Sequence, residues 1–418
     1  MALEHVPSVD SATAEALSGE LEKQRNTLML VASANHLSPA VLEAQGTVIA
    51  NERAEGYPGS RYFAGCQQVD QIEQSAIDRA KELFGAEHVN VQPHSGTQSN
   101  MGVYVAMLDP GDTVLSLELS HGGHLSHGHH VNFTGQYYDI EHYHVNPETG
   151  RIDYDELEDL ARAHDPTMIV TGFSAYPREI DWERVQSVAD EVGAYHMADC
   201  AHITGLIAAG KHPSPVGVVD FVTGSTHKSL RSGRGGFIMC DEAHADTIDA
   251  GVFPGSQGDP LLHNIAGKAV GFEEALEPTF DEYIAQVVAN ADALSETLTE
   301  RGLDLMSGGT DTHLMLLDLR DSHPDVTGKD AESILEDVGI ILNANPVPGD
   351  TRSPRVTSGI RIGTPAVTTR GLNESDAERL GALIVRALDH RDDEVVMAEI
   401  RDEVDDLCAA NPLYPDWE

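Results

Sequence analysis

The sequence predicts an α/β protein: a large, mostly parallel sheet covered by helices, followed by a smaller α+β domain. Three observations carry that expectation. Short apolar runs at Val89–Val91, Thr113–Leu117, Met168–Thr171, Ala194–Met197, Phe221–Thr223 and Gly236–Met239 alternate with helical stretches. The helical stretches are amphipathic. The clearest runs from Asp70 to Phe84, with Ile72, Ala76, Ile77, Ala80, Leu83 and Phe84 as its apolar stripe and Gly85 as its stop. Polar clusters follow several of the strands: Gln92-Pro93-His94-Ser95-Gly96, Gly172-Phe173-Ser174-Ala175-Tyr176, Asp199-Cys200-Ala201-His202 and Thr226-His227-Lys228-Ser229. Ligands of open α/β sheets bind beyond the carboxyl ends of strands, so clusters recurring there describe one site.

The remaining elements follow in order. Residues 10–30 read as an acidic helix, so residues 1–30 are expected to form an N-terminal arm. Residues 31–275 then hold the large domain. From about Phe272 to Arg301 the pattern turns helical. Leu314–Leu319, Ile334–Ile341 and Gly359–Gly363, with helices from Ser375 onward, give a small C-terminal domain over residues 276–418. No internal repeat or low-complexity segment interrupts this order.

Composition narrows the setting. The 418 residues carry 69 acidic and 26 basic side chains, a formal charge of −43, with 40% hydrophobic residues. Only six of the basic residues are lysine, against 20 arginines. The acids are spread along a chain of ordinary hydrophobicity, which argues against a disordered acidic tail. Such a surface suits a cytoplasm of high salt, where ions screen the self-repulsion. The same field disfavours nucleic acid and anionic membranes as partners. Cys66, Cys200, Cys240 and Cys408 are too scattered for a disulfide framework or a metal motif. The N-terminal Met-Ala-Leu-Glu-His carries no basic or apolar targeting signal, and no run is long enough to span a bilayer. A soluble cytoplasmic protein is expected.

Lys228 stands just past an apolar run and before the basic, glycine-rich Arg231-Ser232-Gly233-Arg234-Gly235-Gly236. A lysine there suits a Schiff base to a carbonyl cofactor such as pyridoxal 5'-phosphate, and equally a surface lysine beside a loop. Its companions weigh on the choice. Asp199 ends a strand, where it could protonate a pyridine nitrogen or cap a turn. His202, three residues on, could hydrogen-bond the ring's phenolic oxygen. Ser95-Gly96-Thr97 opens a helix, as a phosphate cradle or an ordinary N-cap. Arg361, on the apolar run Gly359–Gly363, could clamp a substrate carboxylate or pair with an internal acid. All of them together favour the cofactor. His121-Gly-Gly-His124-Leu-Ser-His127-Gly-His129-His130 has imidazole spacing that a metal could use. It lacks an acidic or cysteine ligand within the run, so stacking of one histidine on a flat cofactor is the preferred reading and no metal is expected.

These residues resemble serine hydroxymethyltransferase over nearly the whole chain. The resemblance rests on Ala54-Glu55-Gly56-Tyr57-Pro58-Gly59, Val91 to Gln98, His121-Gly122-Gly123-His124-Leu125, Gly172 to Tyr176, Thr226-His227-Lys228, Val252-Phe253-Pro254-Gly255 and Thr357 to Arg361. It implies the fold of aspartate aminotransferase, with a seven-stranded sheet, and a homodimer or tetramer with shared active sites. It also implies pyridoxal phosphate and transfer of a hydroxymethyl group between serine and tetrahydrofolate, leaving glycine. Residue by residue, Lys228 would form the imine and His124 would stack on the ring. Asp199 would meet the pyridine nitrogen and His202 the phenolic oxygen. Ser95, Gly96, Thr97 and His227 would hold the phosphate, with Ser174 nearby. Ser33, Arg361 and His202 would meet the substrate. Glu55 of the partner subunit would handle the hydroxyl proton or the folate, and Leu119, Leu125 and Asn345 would line the folate site.

Four positions depart from the family pattern. Ala34 stands for Glu, Arg53 for Tyr, Phe63 for Tyr and Asp259 for Gly. The Tyr and Gly replaced by Arg53 and Asp259 would touch the phosphate from the partner subunit. The two changes are therefore expected to offset each other as an ion pair across the dimer interface. Phe63 removes a hydroxyl expected near the substrate carboxylate. These departures keep two alternatives open: an aldolase, transaldolase or α-substituted-serine hydroxymethyltransferase of the same fold, and a non-catalytic paralogue. Retained Glu55, Asn345 and Leu125 favour the hydroxymethyltransferase, and retained Lys228, Asp199 and Arg361 speak against the paralogue.

Overall fold

A computed structural model describes residues 5–417. Most of the N-terminal stretch examined for a targeting signal, Met1 to Glu4, lies outside these residues, as does Glu418. The large sheet has seven strands: β1 (His88–Asn90), β2 (Thr113–Leu117), β3 (Asp139–Tyr143), β4 (Met168–Gly172), β5 (Tyr195–Asp199), β6 (Phe221–Ser225) and β7 (Gly236–Cys240). Their order across the sheet is β1-β7-β6-β5-β4-β2-β3. Strand β7 is antiparallel to both its neighbours, and the other pairings are parallel.

Burial explains why six of these strands were legible. β4, β6 and β7 are buried along their whole length, because helices cover both faces of a parallel sheet. One face packs on helix α1 (Gln67–Phe84), where Phe84 stacks on Phe237 at 5.4 Å between ring centres. The other face meets Val103 and Tyr104 of helix α2 (Gly96–Met107) and Ile248. The seventh strand, β3, escaped the sequence reading. It is the edge strand, only its last residue is buried, and its Asp139, Glu141 and His142 hide the apolar signal. Helix α1 begins three residues earlier than its apolar stripe suggests, and it ends at Gly85 in the left-handed conformation (φ +69°).

The second sheet is antiparallel: β8 (Asp304–Leu305), β9 (Leu314–Asp318), β10 (Asn343–Asn345) and β11 (Gly359–Gly363), ordered β8-β9-β11-β10. Its core includes Leu380, Leu383 and Ile384 of the helix Glu374–Asp389, and also Leu28 and Leu30 from the N-terminal part of the chain. Leu28–Met29 pairs in parallel with Ile340–Ile341. The expected N-terminal helix spans Ser11–Asn26. The long helix α3 (Pro278–Glu300) touches both cores: Phe280, Ile284 and Val287 pack on the large one, Ala291, Leu294 and Leu298 on the small one. No described helix is long and apolar enough to cross a membrane.

Candidate active site

Register assembles the site. Gly172, Asp199 and Thr223 are partners across β4, β5 and β6, so the segments that follow these strands leave the same edge of the sheet side by side. The loop after β2 joins them. Gly122 O accepts from Ser174 N and Ala175 N at 2.8 and 3.1 Å, and Ser174 Oγ donates to Gly123 O at 3.0 Å. A side chain at Gly123 would start 2.1 Å from Leu117 O, so glycine is required for that close approach. At β6, the Cβ that Gly96 lacks would lie 2.6 Å from Ser225 Oγ. The N-terminus of helix α2 is therefore pressed against the strand that leads to Lys228.

Lys228 is partly buried, and Asn35 Nδ2 donates to its carbonyl at 2.8 Å. Burial lowers the ammonium pKa from 10.5 to about 8; Asp199 opposes that, and Arg361 and Arg234 add to it. The amine is thus available as a nucleophile close to neutral pH.

Asp199 is buried at the end of β5. Its Oδ2 accepts from His127 Nε2 at 2.9 Å and Asn100 Nδ2 at 2.8 Å, and its Oδ1 accepts from Ala201 N at 3.0 Å. Burial pushes the carboxyl up, but the hydrogen bonds from His127 and Asn100 outweigh it and hold Asp199 well below the usual carboxylate range. The tautomer of His127 follows from its surroundings: Nδ1 accepts from His124 N at 3.2 Å, so Nε2 carries the proton given to Asp199. His124 is held neutral, its pKa lowered to about 4 by burial and by His127, as suits a ring stacked on a flat ligand. His124, His127 and Asp199 have ligand atoms within 4.8 Å of one another, close enough to hold a metal ion. Here hydrogen bonds occupy those atoms: Asp199 with His127, and His124 Nδ1 with Ser126.

Two histidines beside Lys228 are incomplete. His202 Nδ1 and His227 Nδ1 are buried with no hydrogen-bond partner among the described residues. His227 Nε2 faces Arg234 at 3.2 Å, so its proton sits on the orphan Nδ1, a free donor. Burial, Lys228 and Arg361 keep His202 neutral. The ring of His202 stacks on that of buried His313, 5.7 Å between centres and 16° apart. The phosphate candidates Ser95, Gly96 and Thr97 stand where the sequence put them. Ser95 Oγ caps Gln98 N at 3.2 Å, and the first N–H groups of this 12-residue helix have no intrahelical acceptor.

Arg361 sits in the middle of β11. Its Nε and Nη2 donate to Asn343 Oδ1 at 3.1 and 3.0 Å, and Nη1 donates to Ser174 O. Among the described residues no carboxylate pairs with it, so the internal-acid alternative falls away. Burial lowers its pKa to about 10, and it stays a cation. Ser33 lies on the strip between Arg361 and Lys228: Gly363 N donates to Leu30 O, and two residues beyond Ser33 is Asn35, bonded to Lys228. Leu119 and exposed Leu125 sit on two short turns flanking His121 and His124. Asn345 pairs with Gly359, two residues from Arg361.

Arg53, Glu55, Phe63 and Asp259 form a second cluster on the same chain. Arg53 Nε donates to Asp259 Oδ2 at 2.5 Å and Nη2 to Glu55 Oε1 at 3.0 Å, and the guanidinium lies 5.1 Å from the Phe63 ring centre. The expected ion pair exists, but it closes within one chain rather than across an interface. Ala54 N also donates to Asp259 Oδ1 at 3.3 Å, and Arg61 clamps Ala54 O and Gly56 O to α1 through Asp70 and Glu73, so residues 53–61 are bound to their own subunit.

The sequence reading missed three supports of the site. His127 was visible in the histidine run but given no role. Asn100 lies one turn beyond Gly96 on α2, a helical spacing that could have flagged it. His313 gave no signal at all, because it arrives from the small sheet.

A sheet of this topology, with a lysine, a buried ionised acid, a neutral histidine and a helix N-terminus along one edge, and an arginine that reaches in from the second sheet with no carboxylate partner among the described residues, defines a pyridoxal-phosphate enzyme of fold type I. The chain belongs to the serine hydroxymethyltransferase family, whose model it matches over residues 6–384. It is similar to the curated serine hydroxymethyltransferase of Halobacterium salinarum, 62% identical over 99% of this chain and 100% of that protein. It is likewise similar to those of Halorubrum lacusprofundi (61% identical, 98% and 99% covered) and Natronomonas pharaonis (61%, 99% and 98%). The family uses pyridoxal phosphate, and the residues here fit it. The orphan donor of His227, the unpartnered Nδ1 of His202 and the open N–H groups at Gly96 and Thr97 are the atoms such a group would satisfy.

Proposed function

We propose that this protein catalyses the reversible transfer of a hydroxymethyl group from serine to tetrahydrofolate, giving glycine and 5,10-methylenetetrahydrofolate. The observation that carries this reading is that Arg361, from the second sheet, reaches Ser174 O beside the edge of the large sheet that carries Lys228 and Asp199. When bound, pyridoxal phosphate supplies the electron sink for bond cleavage at the substrate α-carbon. Lys228 supplies the amine that holds the cofactor, and its lowered pKa keeps that amine reactive near neutrality. Asp199, kept ionised by His127, would hold a proton at the pyridine nitrogen. His124 would stack on the ring and His202 would meet the phenolic oxygen. Ser95, Gly96, Thr97 and His227 would hold the phosphate, with Ser174 beside them. Arg361 and Ser33 bind the substrate carboxylate; three of the five guanidinium N–H groups are bonded to protein, which leaves others for that ligand. Leu119, Leu125 and Asn345 line the folate side.

Glu55, with Phe63, Arg53 and Asp259, acts in the partner's site of a homodimer. Supporting this, among the described residues the cluster makes no hydrogen bond to Lys228, and it borders exposed apolar side chains, Tyr62 at 76% and Leu261 at 36% exposure. The four free, buried cysteines suit a reducing cytoplasm. We divide the chain as an arm (1–30), a cofactor-binding domain (31–275) and a small domain (276–418).

The test is an assay at high salt with serine, with and without tetrahydrofolate, beside allo-threonine and α-methylserine. Glycine formed from serine only with the folate is expected. Folate-independent cleavage of the other substrates, with serine inert, would instead assign an aldolase.

A further inference from the structure

We propose that Lys268 is a positioning residue for the cofactor: its buried ammonium fastens the loop leading into the phosphate cradle to the strand that closes the Lys228 loop. Lys268 lies on the helix Leu262–Ala275 and is 1% exposed. Its Nζ donates to Val91 O at 2.7 Å, Pro93 O at 3.0 Å and Gly236 O at 2.8 Å. Those bonds use all three ammonium donors.

The three acceptors belong to the two halves of the site. Val91 and Pro93 lie on the stretch between β1 and Ser95. Gly236 opens β7, and the residue before it, Gly235, accepts from both Thr226 N and Thr226 Oγ1 at 3.1 Å. Thr226 is two residues from Lys228. The ammonium, together with the direct bond from Gly236 N to Pro93 O at 3.0 Å, therefore sets the spacing between the phosphate anchor and the imine lysine. The socket is tight: a Cβ on Gly235 would lie 2.3 Å from Lys268 Cε and 2.5 Å from Nζ. Gln257 completes the clamp, donating to Gln92 O at 3.1 Å and accepting from His94 N at 3.0 Å.

Packing alone does not need a cation here. Among the described residues no carboxylate is bonded to Lys268. Glu73, the acid whose charge acts on Lys268, accepts from Arg61 at 2.6 Å and from Gln92 at 2.7 Å. Burial pulls the Lys268 pKa down to about 7, with Glu73 opposing, so the charge is held against a desolvation cost. In a chain with six lysines that charge sits behind the anion cradle, where it favours a phosphate as well as fixing the loop.

The inference rests on reading Ser95–Thr97 as the cradle. Apo protein, its fold confirmed by circular dichroism, is titrated with pyridoxal phosphate at high salt and followed by visible absorbance. Lys268→Met is expected to bind the cofactor about tenfold more weakly, the scale of a lost charged hydrogen bond. Lys268→Arg is expected to recover part of the loss, and the KM for serine of the loaded enzyme to stay unchanged. Wild-type cofactor affinity in folded Lys268→Met overturns the proposal. Should that variant not fold, Gly235→Ala, which displaces the ammonium without removing it, decides in the same way. Ser95→Ala and Thr97→Ala separate the two ideas: if neither weakens binding the cradle reading fails, and if they weaken it while Lys268→Met does not, only the role of Lys268 fails.

Discussion

Arg53 Nε lies 2.5 Å from Asp259 Oδ2, a contact between residues 206 positions apart that closes within a single chain. Two departures from the family pattern thus neutralise each other locally, and Glu55 shares the same guanidinium. Arg53→Tyr alone leaves the Asp259 carboxylate uncompensated, next to the stretch where His94 Nε2 meets Asp259 O at 3.1 Å. Weaker cofactor binding and a lower kcat are expected from that variant, and recovery when Asp259→Gly is added. The double-mutant cycle measures the coupling. Untouched affinity in Arg53→Tyr together with raised affinity in Asp259→Gly would show that the pair does not compensate.

His127 keeps Asp199 ionised. His127→Leu removes the donor, and burial then dominates and raises the Asp199 pKa. A protonated Asp199 cannot hold a pyridinium proton, and each unit by which its pKa exceeds the working pH lowers the ionised fraction about tenfold. The expected outcome is a kcat at least about tenfold lower, with little change in serine KM. Steady-state kinetics and the absorbance spectrum of the loaded protein check it.

Arg361 has no acid partner among the described residues, so its charge is available to a substrate carboxylate. Arg361→Ala is expected to raise the serine KM about a hundredfold, the scale of two charge-assisted hydrogen bonds. Cofactor affinity should hardly move. Arg361→Lys should rescue poorly, because a point charge cannot reproduce the planar fork.

Lys228 titrates near 8 in the folded apo protein and near 10.5 when unfolded. Below pH 8 the folded state carries the full penalty of a buried ammonium. Between about 8 and 10.5 the unfolded chain binds the extra proton, so stability rises with pH across that window. Lys228→Met should abolish activity yet raise the apo Tm at pH 7, and it should remove that rise. Thermal unfolding of both apo proteins between pH 7 and 10 tests the sign.

The net charge of −43 makes stability depend on salt. The Tm is expected to fall steadily as salt is lowered towards ~0.1 M, where the screening length reaches about 10 Å. A Tm independent of salt would contradict this.

The large sheet was readable because burial on both faces leaves an uninterrupted apolar run; β6 and β7 show it best. Edge strand β3 was not, since one open side tolerates Asp139, Glu141 and His142. Asp199, Ser95 and Lys228 were readable for a related reason. Each follows or ends a buried strand, where a polar side chain stands out against its neighbours.

Sequence alone determined the fold class and the family resemblance, with the cofactor that resemblance implies, and it named the candidate site residues, because each stands in a local run of the chain. Tertiary structure decided which groups support them. That His127 donates to Asp199, that Lys268 ties the cradle to the Lys228 loop, and that Arg53 pairs with Asp259 of its own chain each depend on contacts between residues 32 to 206 positions apart or more precisely on the register that aligns them. A hydrogen bond needs atoms about 3 Å apart, and only the packed sheet and its helices set distances at that scale.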